Sequence, residues 1–580
     1  MTIRKITEKA VIEHMGWTPA DFRVEKPANN QADYAVNVSA MAKKHNRNPL
    51  EAAKDAAEKL KNVADVFERV EAAGGYVNFF LKTEYLQKEL AQIAGNADYG
   101  HNDIGKGKKV IVEYPSVNIA KPMHIGHMRS AIIGDALANV YEKLGWQVIR
   151  WNYIGDWGTQ FGKLIYAWKK WGDEQALKKD PIAEMLQVYI KFHDEAENNP
   201  DLEKEGQKEF RKLEEGDAEN TKLWTEFKEL SLSEFQKIAQ DLGVNVSGES
   251  KGEAEYNPRL KPLIQELQEK GIVKESEGAL IIELENLPPM LLRKSDGATL
   301  YATRDIASLE DRIQNYQADK ILYVVANQQA LHFEQLFAVA KKLGWSQAEL
   351  IHVKFGMVLG EDGKKLATRE GKTVALEEVM AKIISLALET VKEKNPSLDS
   401  EEAAQIAHAV GIGALKYNDL KQHPYSDITF DWRAMLDLSG NSGPYLQYTY
   451  SRLFSILKKA EQANFQALDR FDELTAGKLG TSFEFFKFKN LSEKIELELI
   501  KKLLDFPEAV EWCARDYALN GLALYLYELA NHANRFYETI RILEDANMER
   551  RNARLQFIAV IARTLKQGLT ILGIQTPERI

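Results

Sequence analysis

Apolar residues recur at two periods along this chain, and the switches between them mark out its elements. KKVIVEY (108–114) is a short β-branched run stopped by Pro115, the pattern of a buried strand. After the polar stretch PSVNIAKPM, Ile133, Leu137, Val140 and Leu144 recur every three or four residues, the spacing of an amphipathic helix. Gly145 stands where a helix C-terminal glycine belongs, and WQVIRWNYIGD predicts a second strand. Strand, helix and strand in this order predict a βαβ unit, hence a parallel sheet with a right-handed crossover.

From about 165 to 250 the pattern is charged and helical, without strand signals. Strands return at ALIIEL and KILYVVA, the latter followed by a helix, LHFEQLFAVAKKLG, and the strand-like IHVKFGMVLG. This second βα half predicts a Rossmann-like, doubly wound α/β domain over 106–400, interrupted by a helical insertion. Residues 1–105 form a small α+β module: a helical opening, a polar loop (KPANNQADYAVN), the helix PLEAAKDAAEKLKN and the strand GGYVNFFL. The linker HNDIGKGKKV closes it. Beyond 400 the pattern is almost wholly helical with aromatics at helical spacing, predicting an all-α bundle over 401–580.

Composition adjusts this picture only slightly. A chain of 580 residues fits three or four domains at about 150 residues each. MTIRKITEKAVIEHMGW has no apolar run suited to a signal peptide, and no stretch approaches the roughly 20 apolar residues of a membrane span. Cys513 is the only cysteine, so neither a disulfide nor a cysteine-built metal site is expected, and a cytoplasmic, reducing setting is. The net charge of −10 disfavours nucleic acid at first sight, but one basic face on an acidic protein is enough to bind it.

Candidate chemistry concentrates at His124-Ile125-Gly126-His127, at the strand-loop-helix junction. A helix N-terminus offers unpaired N–H groups and partial positive charge to a triphosphate. Gly126 would let a flat base approach the backbone, and the imidazoles could donate to phosphate oxygens as charge builds at the α-phosphorus. Half of a metal site, or plain polar residues opening a helix, are the competing readings; no third metal ligand is evident.

VEYPSVNIAKPMHIGHMRSAIIGD with IRWNYIGDWGTQFG resembles the signature region of arginyl-tRNA synthetases, a class I family. The family's second motif, KMSKS, falls at Lys365-Leu366-Ala367-Thr368-Arg369, with the first lysine kept and the second replaced by Thr368. Lys121, three residues before His124, is the candidate for the missing cation; a solvated loop lysine is the alternative. The resemblance implies ATP bound by His124, Gly126, His127, Val358 and Lys365, with His124, His127, Lys121 and Lys365 stabilising charge, and Mg²⁺ accompanying the ATP. It also implies that Glu113, Asn118, Tyr301, Asp305 and Gln329 contact arginine. A guanidinium requires carboxylates, which Glu113 and Asp305 would supply. An internal ion pair for Glu113 and core packing for Tyr301 are the alternatives.

By the same resemblance the helical C-terminal region binds the anticodon, the N-terminal module binds the outer corner of tRNA(Arg), and arginine activation requires tRNA. The implied function is ligation of arginine to its tRNA through an arginyl-adenylate, by a monomer. Three rivals differ in kind: a small nucleotidyltransferase, a non-catalytic tRNA-binding relative, and a synthetase for another amino acid. Length and the helical C-terminal region speak against the first. His124, His127 and Asp305 together speak against the second, and the acidic pair Glu113 and Asp305 against a glutamate-specific site.

Overall fold

The computed structural model describes residues 2–27, 31–61, 65–119, 121–295, 300–360, 362–364, 366, 374–463 and 488–580. At its centre four parallel strands stand in the spatial order Glu349–Phe355, Lys320–Ala326, Lys109–Glu113, Gln147–Trp151. Both faces of this sheet are covered, which is why its strands read as near-continuous apolar runs. Val110, Val112, Leu322 and Val324 join the core with helix Ile125–Lys143 and the C-terminal helices. Their neighbours Ile111, Ile321 and Tyr323 pack instead with helices Asn257–Glu269, Tyr301–Gln314 and Ala330–Lys342.

The chain leaves the adjacent strands Lys109–Glu113 and Lys320–Ala326 toward opposite sides of the sheet, so their carboxyl ends open a crevice at the switch point. The doubly wound α/β reading is therefore the observed architecture. Gly145 has φ 77°, the left-handed conformation that ends helix Ile125–Lys143. That helix is less amphipathic in fact than its pattern predicts. Ile133, Leu137 and Val140 are buried, but so are Arg129 and Asp135, because later helices, Ser400–Leu420 and Met548–Ile571 among them, cover its outer face.

Two local readings are corrected. The "polar loop" of the N-terminal module contains the strand Tyr34–Asn37, whose Tyr34, Ala35 and Val36 are buried in an antiparallel sheet with Arg23–Glu25, Tyr76–Leu81 and Phe67–Ala73. ALIIEL is a strand, but it belongs to an antiparallel meander, Val273–Ser276, Ala279–Leu284 and Leu287–Arg293, outside the parallel sheet. Its alternating burial reveals one covered face. The third strand of that meander carries Pro288 and Pro289, tolerable because it lies at an edge.

The insertion is helical: Thr159–Trp171, Glu174–Lys179, Pro181–Asn198, Asp201–Glu214 and Ala218–Asp241. Asp173, Asp180 and Asp217 cap three of these helices through side-chain acceptors. Among the described residues, the last 180 positions are mainly helical, with helices Gly443–Gln462, Asn520–Thr539 and Met548–Ile571 packed together. Many of the aromatics there are core: Tyr450, Tyr525 and Phe536 are at most 4% exposed. The N-terminal module reaches this bundle through helix Thr83–Gly95, which packs on Lys494–Leu503 and Met548–Ile571. Among the described residues, no helix is long and apolar enough to cross a membrane.

Candidate active site

The strand Lys109–Glu113 delivers the chain to the crevice, and the loop after it turns back to start helix Ile125–Lys143. His124 is the N-cap of that helix. Its Nδ1 accepts the Gly126 N–H at 3.1 Å, while His127 Nδ1 accepts the backbone N–H of His124 at 3.2 Å. This is a capping box built from two imidazoles. The rings stack, with centroids 3.8 Å apart and planes 23° from parallel.

Because both Nδ1 atoms accept, each neutral ring carries its proton on Nε2 and presents it as a donor. Burial, then the neighbouring His124, push the His127 pKa down to about 3, so this ring is a neutral donor at physiological pH. A side chain at Gly126 would place its Cβ 3.0 Å from His124 Cε1. The close approach demanding glycine here is thus the His124 ring itself, beside whatever ligand the motif holds. The bland reading, polar residues opening a helix, is correct as local structure.

Val358 lies in the short strand Val358–Leu359, paired in parallel with Ile428–Thr429. Its side chain is buried, and its carbonyl accepts the Leu366 N–H at 3.0 Å. Lys365 lies outside the described residues, as do Ala367, Thr368 and Arg369. Further along, Ile125 N–H donates to the Val374 carbonyl at 3.3 Å and Leu376 N–H to the Met123 carbonyl at 3.0 Å. The segment following the second motif therefore docks on the first motif. Lys121 is exposed, with its ammonium 5.4 Å from the ring centre of Tyr189 on insertion helix Pro181–Asn198. Behind the same loop, a groove of about 280 Å³ runs between Val117 and Met123 on one side and Phe235 and Leu242 on the other.

The second pole is acidic. Asp305 and Tyr301 lie on one helix, Tyr301–Gln314, at the four-residue spacing that puts them on one face. Asp305 Oδ2 is 2.7 Å from His332 Nε2, and the Tyr301 ring lies 5.1 Å from that imidazole. Tyr301 is 56% exposed, so the core-packing alternative fails for it. Gln329 is exposed in the turn Asn327–Gln329 that follows strand Lys320–Ala326. Asn118 is exposed and bridges in parallel to Gly155.

Glu113 behaves differently. It is buried and 2.5 Å from the Arg312 guanidinium, and it accepts a hydrogen bond from the Ser116 hydroxyl at 3.3 Å. The internal ion pair left open by the sequence is therefore present. Burial pushes the Glu113 pKa up against the pull of Arg312, and the charge of Asp305 adds to the rise. Arg312 is almost fully buried, between the rings of Trp151 (4.6 Å), Tyr323 (5.3 Å) and Tyr153 (5.4 Å). Burial disfavours its charge, and Glu113, Tyr323 and Tyr256 together more than offset this. Glu253, half-buried, is raised to about 8 by burial and then by Asp305.

Arg312, His332 and Glu253 went unnoticed in the sequence. Arg312 falls seven residues after Asp305 on the same predicted helix, the one available signal for it. His332 and Glu253 come from separate elements, and nothing in their local patterns marks them. Asp156, in the IGDWG stretch, was also not assigned a task. It is 0% exposed, 2.7 Å from Lys228 Nζ, and accepts the Ala254 N–H at 2.9 Å, pinning the insertion to the sheet domain.

Comparisons with known proteins identify the family. The family description "tRNA synthetases class I (R), catalytic domain" matches residues 89–432, "DALR anticodon binding domain" residues 446–580, and "Arginyl tRNA synthetase N terminal domain" residues 1–81. Arginine–tRNA ligase 1 of Bacillus cereus is 40% identical, over 96% of this chain and 95% of that protein. The arginine–tRNA ligase of Clostridium perfringens is 39% identical over 100% of both chains. The arginyl-tRNA synthetase structure from Plasmodium falciparum superposes with a TM-score of 0.81 at 25% identity, covering 100% of this chain and 98% of that one. The Thermus thermophilus arginyl-tRNA synthetase, at 24% identity and a TM-score of 0.80 over 100% of both chains, shares the fold. A non-catalytic relative or a synthetase for another amino acid finds no support in these matches. With relatives at 40% identity over nearly its whole length and an imidazole-capped helix at the switch point of a doubly wound sheet, this chain belongs to the class I arginyl-tRNA synthetases, ATP-dependent ligases of arginine and tRNA.

Proposed function

We propose that the crevice works as two poles, ATP at the imidazole pair and arginine at the acids of helix Tyr301–Gln314. The observation that carries this is the stacked pair His124 and His127, both accepting through Nδ1 at the helix start. Their Nε2 donors would meet the α-phosphate as an arginine carboxylate oxygen attacks it in line. The bond to the β-phosphate then breaks, and pyrophosphate leaves. A hydroxyl of the terminal adenosine of tRNA next attacks the arginyl carbonyl, and AMP departs.

In this reading Lys121 and Lys365 supply cationic charge to the phosphates, and Gly126 and Val358 border the nucleotide. Neutral imidazoles favour charge dispersal over proton transfer, as phosphoryl chemistry demands. Mg²⁺ would be held by the ATP phosphates, since among the described residues no cluster of three or more His, Cys, Asp or Glu side chains stands ready to hold a metal ion. Asp305 carries recognition of the guanidinium, with Tyr301 beside the His332 ring that Asp305 also meets. Glu113 is the weaker acid toward a cation, being already neutralised by Arg312. Asn118 and Gln329, at the ends of the loops bordering the crevice, complete the arginine set.

The division near residues 105 and 400, with the C-terminal bundle on the anticodon and the N-terminal module on the outer corner of tRNA(Arg), belongs to this reading, as does a cytoplasmic monomer. Arg452, exposed and 4.9 Å from the Tyr537 ring and 5.6 Å from that of Tyr448, is the kind of stacking group a splayed base uses. ATP–pyrophosphate exchange with each of the twenty amino acids, with and without tRNA, tests the whole. Exchange is expected with arginine alone and only when tRNA is present. Exchange with another amino acid would overturn the acidic-pole assignment.

A further inference from the structure

Helix Ile125–Lys143 carries a buried cation that the two-pole reading leaves unused. Arg129 lies two residues past His127 and is 0% exposed. A guanidinium is tolerated in such a place only when its donors are met and a counter-ion stands beside it. Here Nε and Nη2 donate to separate carboxylate oxygens of Asp419, both at 3.0 Å. Nη1 donates to the Ser426 carbonyl at 2.9 Å, and Nη2 also reaches the Pro424 carbonyl at 3.3 Å. Burial raises the Asp419 pKa, and Arg129 opposes the rise.

The segment that Arg129 holds has a second task. The Pro424 carbonyl also accepts the Gly356 N–H at 3.0 Å, and the Asp427 carboxylate accepts the Met357 N–H at 2.6 Å. Ile428 N–H donates to the Met357 carbonyl at 2.9 Å and Phe430 N–H to that of Leu359 at 3.0 Å, alongside the parallel pairing of Val358–Leu359 with Ile428–Thr429. This strand leads in sequence directly into GEDGKKLATREG. On the other side of that stretch, Val374 and Leu376 are bonded to the backbone of Ile125 and Met123. The second motif is thus bounded by two attachments to the segment bearing His124 and His127. One is direct, through backbone; the other runs from Arg129 through residues 424–430.

We propose that Arg129 is a positioning residue: its guanidinium sets where the strand before the second ATP motif stands relative to the His124–His127 pair. The inference rests on reading both motifs as the ATP-binding elements. Only a planar fork can serve two carboxylate oxygens and two carbonyls at once; a lysine would keep the charge and lose that geometry. Helix Ser400–Leu420 keeps other attachments when Arg129 changes, since Lys416 donates separately to the carbonyls of Gly243 (2.5 Å) and Gly573 (2.7 Å).

The test is Arg129→Lys in the full chain, followed by arginine- and tRNA-dependent ATP–pyrophosphate exchange and thermal melting. A folded variant is expected to lose about ten- to hundredfold in kcat through misplacement of the reacting groups. Its KM for arginine should stay within about twofold, because the arginine pole sits on other elements. Asp427→Ala removes an exposed carboxylate that holds Met357 N–H, and should lower kcat in the same direction by a smaller factor. Wild-type kcat in folded Arg129→Lys overturns the proposal, as does a loss shared equally by kcat and arginine affinity. Should Arg129→Lys fail to fold, wild-type kcat in Asp427→Ala overturns it. If the unaltered protein showed no arginine-dependent exchange, the two-pole reading would fall first and take this inference with it.

Discussion

Two side chains at the crevice have environments that make opposite demands, and each can be tested alone. Asp305 is largely buried, bonded to His332 at 2.7 Å, and is the acid left available to a guanidinium once Arg312 has engaged Glu113. Asp305→Ala is expected to weaken arginine binding by about 3–4 kcal/mol, a several-hundredfold rise in Kd measured by calorimetry. An unchanged Kd would remove Asp305 from the pocket. His127 presents the reverse case, a base that folding keeps neutral. Its pKa falls from 6.5 to about 3, so below pH 6.5 the unfolded chain takes up a proton that the native state refuses. Native stability is therefore expected to fall as pH drops from 6.5 toward 3. His127→Asn, which keeps a neutral side chain, should lose less than wild type over that interval in urea titrations at pH 7 and pH 4.5. Equal losses would mean that the ring is charged in the native protein at the lower pH.

Among elements, the insertion poses the clearest question, because a single buried aspartate ties its last helix to the sheet domain twice. Asp156 is fully buried, bonded to Lys228 Nζ at 2.7 Å, and its carbonyl accepts the Trp224 indole N–H at 2.7 Å. Asp156→Ala leaves the Lys228 charge and the Ala254 N–H unmet. The cost is expected to be about 2–3 kcal/mol, below the full value for a buried pair because Lys228 keeps partial access to water. Hydrogen exchange should quicken in helix Ala218–Asp241 while the strands of the parallel sheet keep their protection. Uniform quickening would show that the insertion does not open as a unit. This helix flanks the groove behind the Pro115–Met123 loop, so its anchoring also bears on the loop that carries Lys121.

At the scale of the molecule, the N-terminal module leans on the C-terminal bundle. Arg563, 5% exposed on helix Met548–Ile571, donates to the carbonyls of Ala94 (3.1 Å) and Ile93 at the end of helix Thr83–Gly95. The partial negative charge of that helix terminus favours the buried cation. Burial lowers the Arg563 pKa to about 10, which still leaves it charged at neutral pH. Ion pairs Lys5–Glu511 (2.8 Å), Lys501–Asp33 (2.6 Å), Arg4–Glu508 and Lys26–Asp505 extend the same interface. Arg563→Met is expected to loosen the module, quickening tryptic cleavage at Lys106 and Lys108 of the linker, which are already exposed. It should lower kcat/KM for tRNA several-fold, while tRNA-saturated arginine activation changes little. Unchanged cleavage would mean that the peripheral ion pairs and apolar packing suffice.

What the sequence by itself determined was whatever depends on neighbours along the chain. The parallel strands, the capped helix at His124, the glycine stop at Gly145 and the i,i+4 pair Tyr301 and Asp305 are local patterns, set by period, capping and backbone geometry. The family resemblance, too, rests on contiguous motifs. The tertiary structure decided what depends on partners far apart in the chain. Tyr34–Asn37 is a strand because Tyr76–Leu81 lies beside it, and the outer face of helix Ile125–Lys143 is buried because later helices cover it. Glu113 faces Arg312, Asp305 meets His332, and Arg129 holds Asp419, pairs separated by 199, 27 and 290 positions. Charge and hydrogen bonding act over a few ångströms of space, whatever the distance in sequence, so no periodicity announces such pairs.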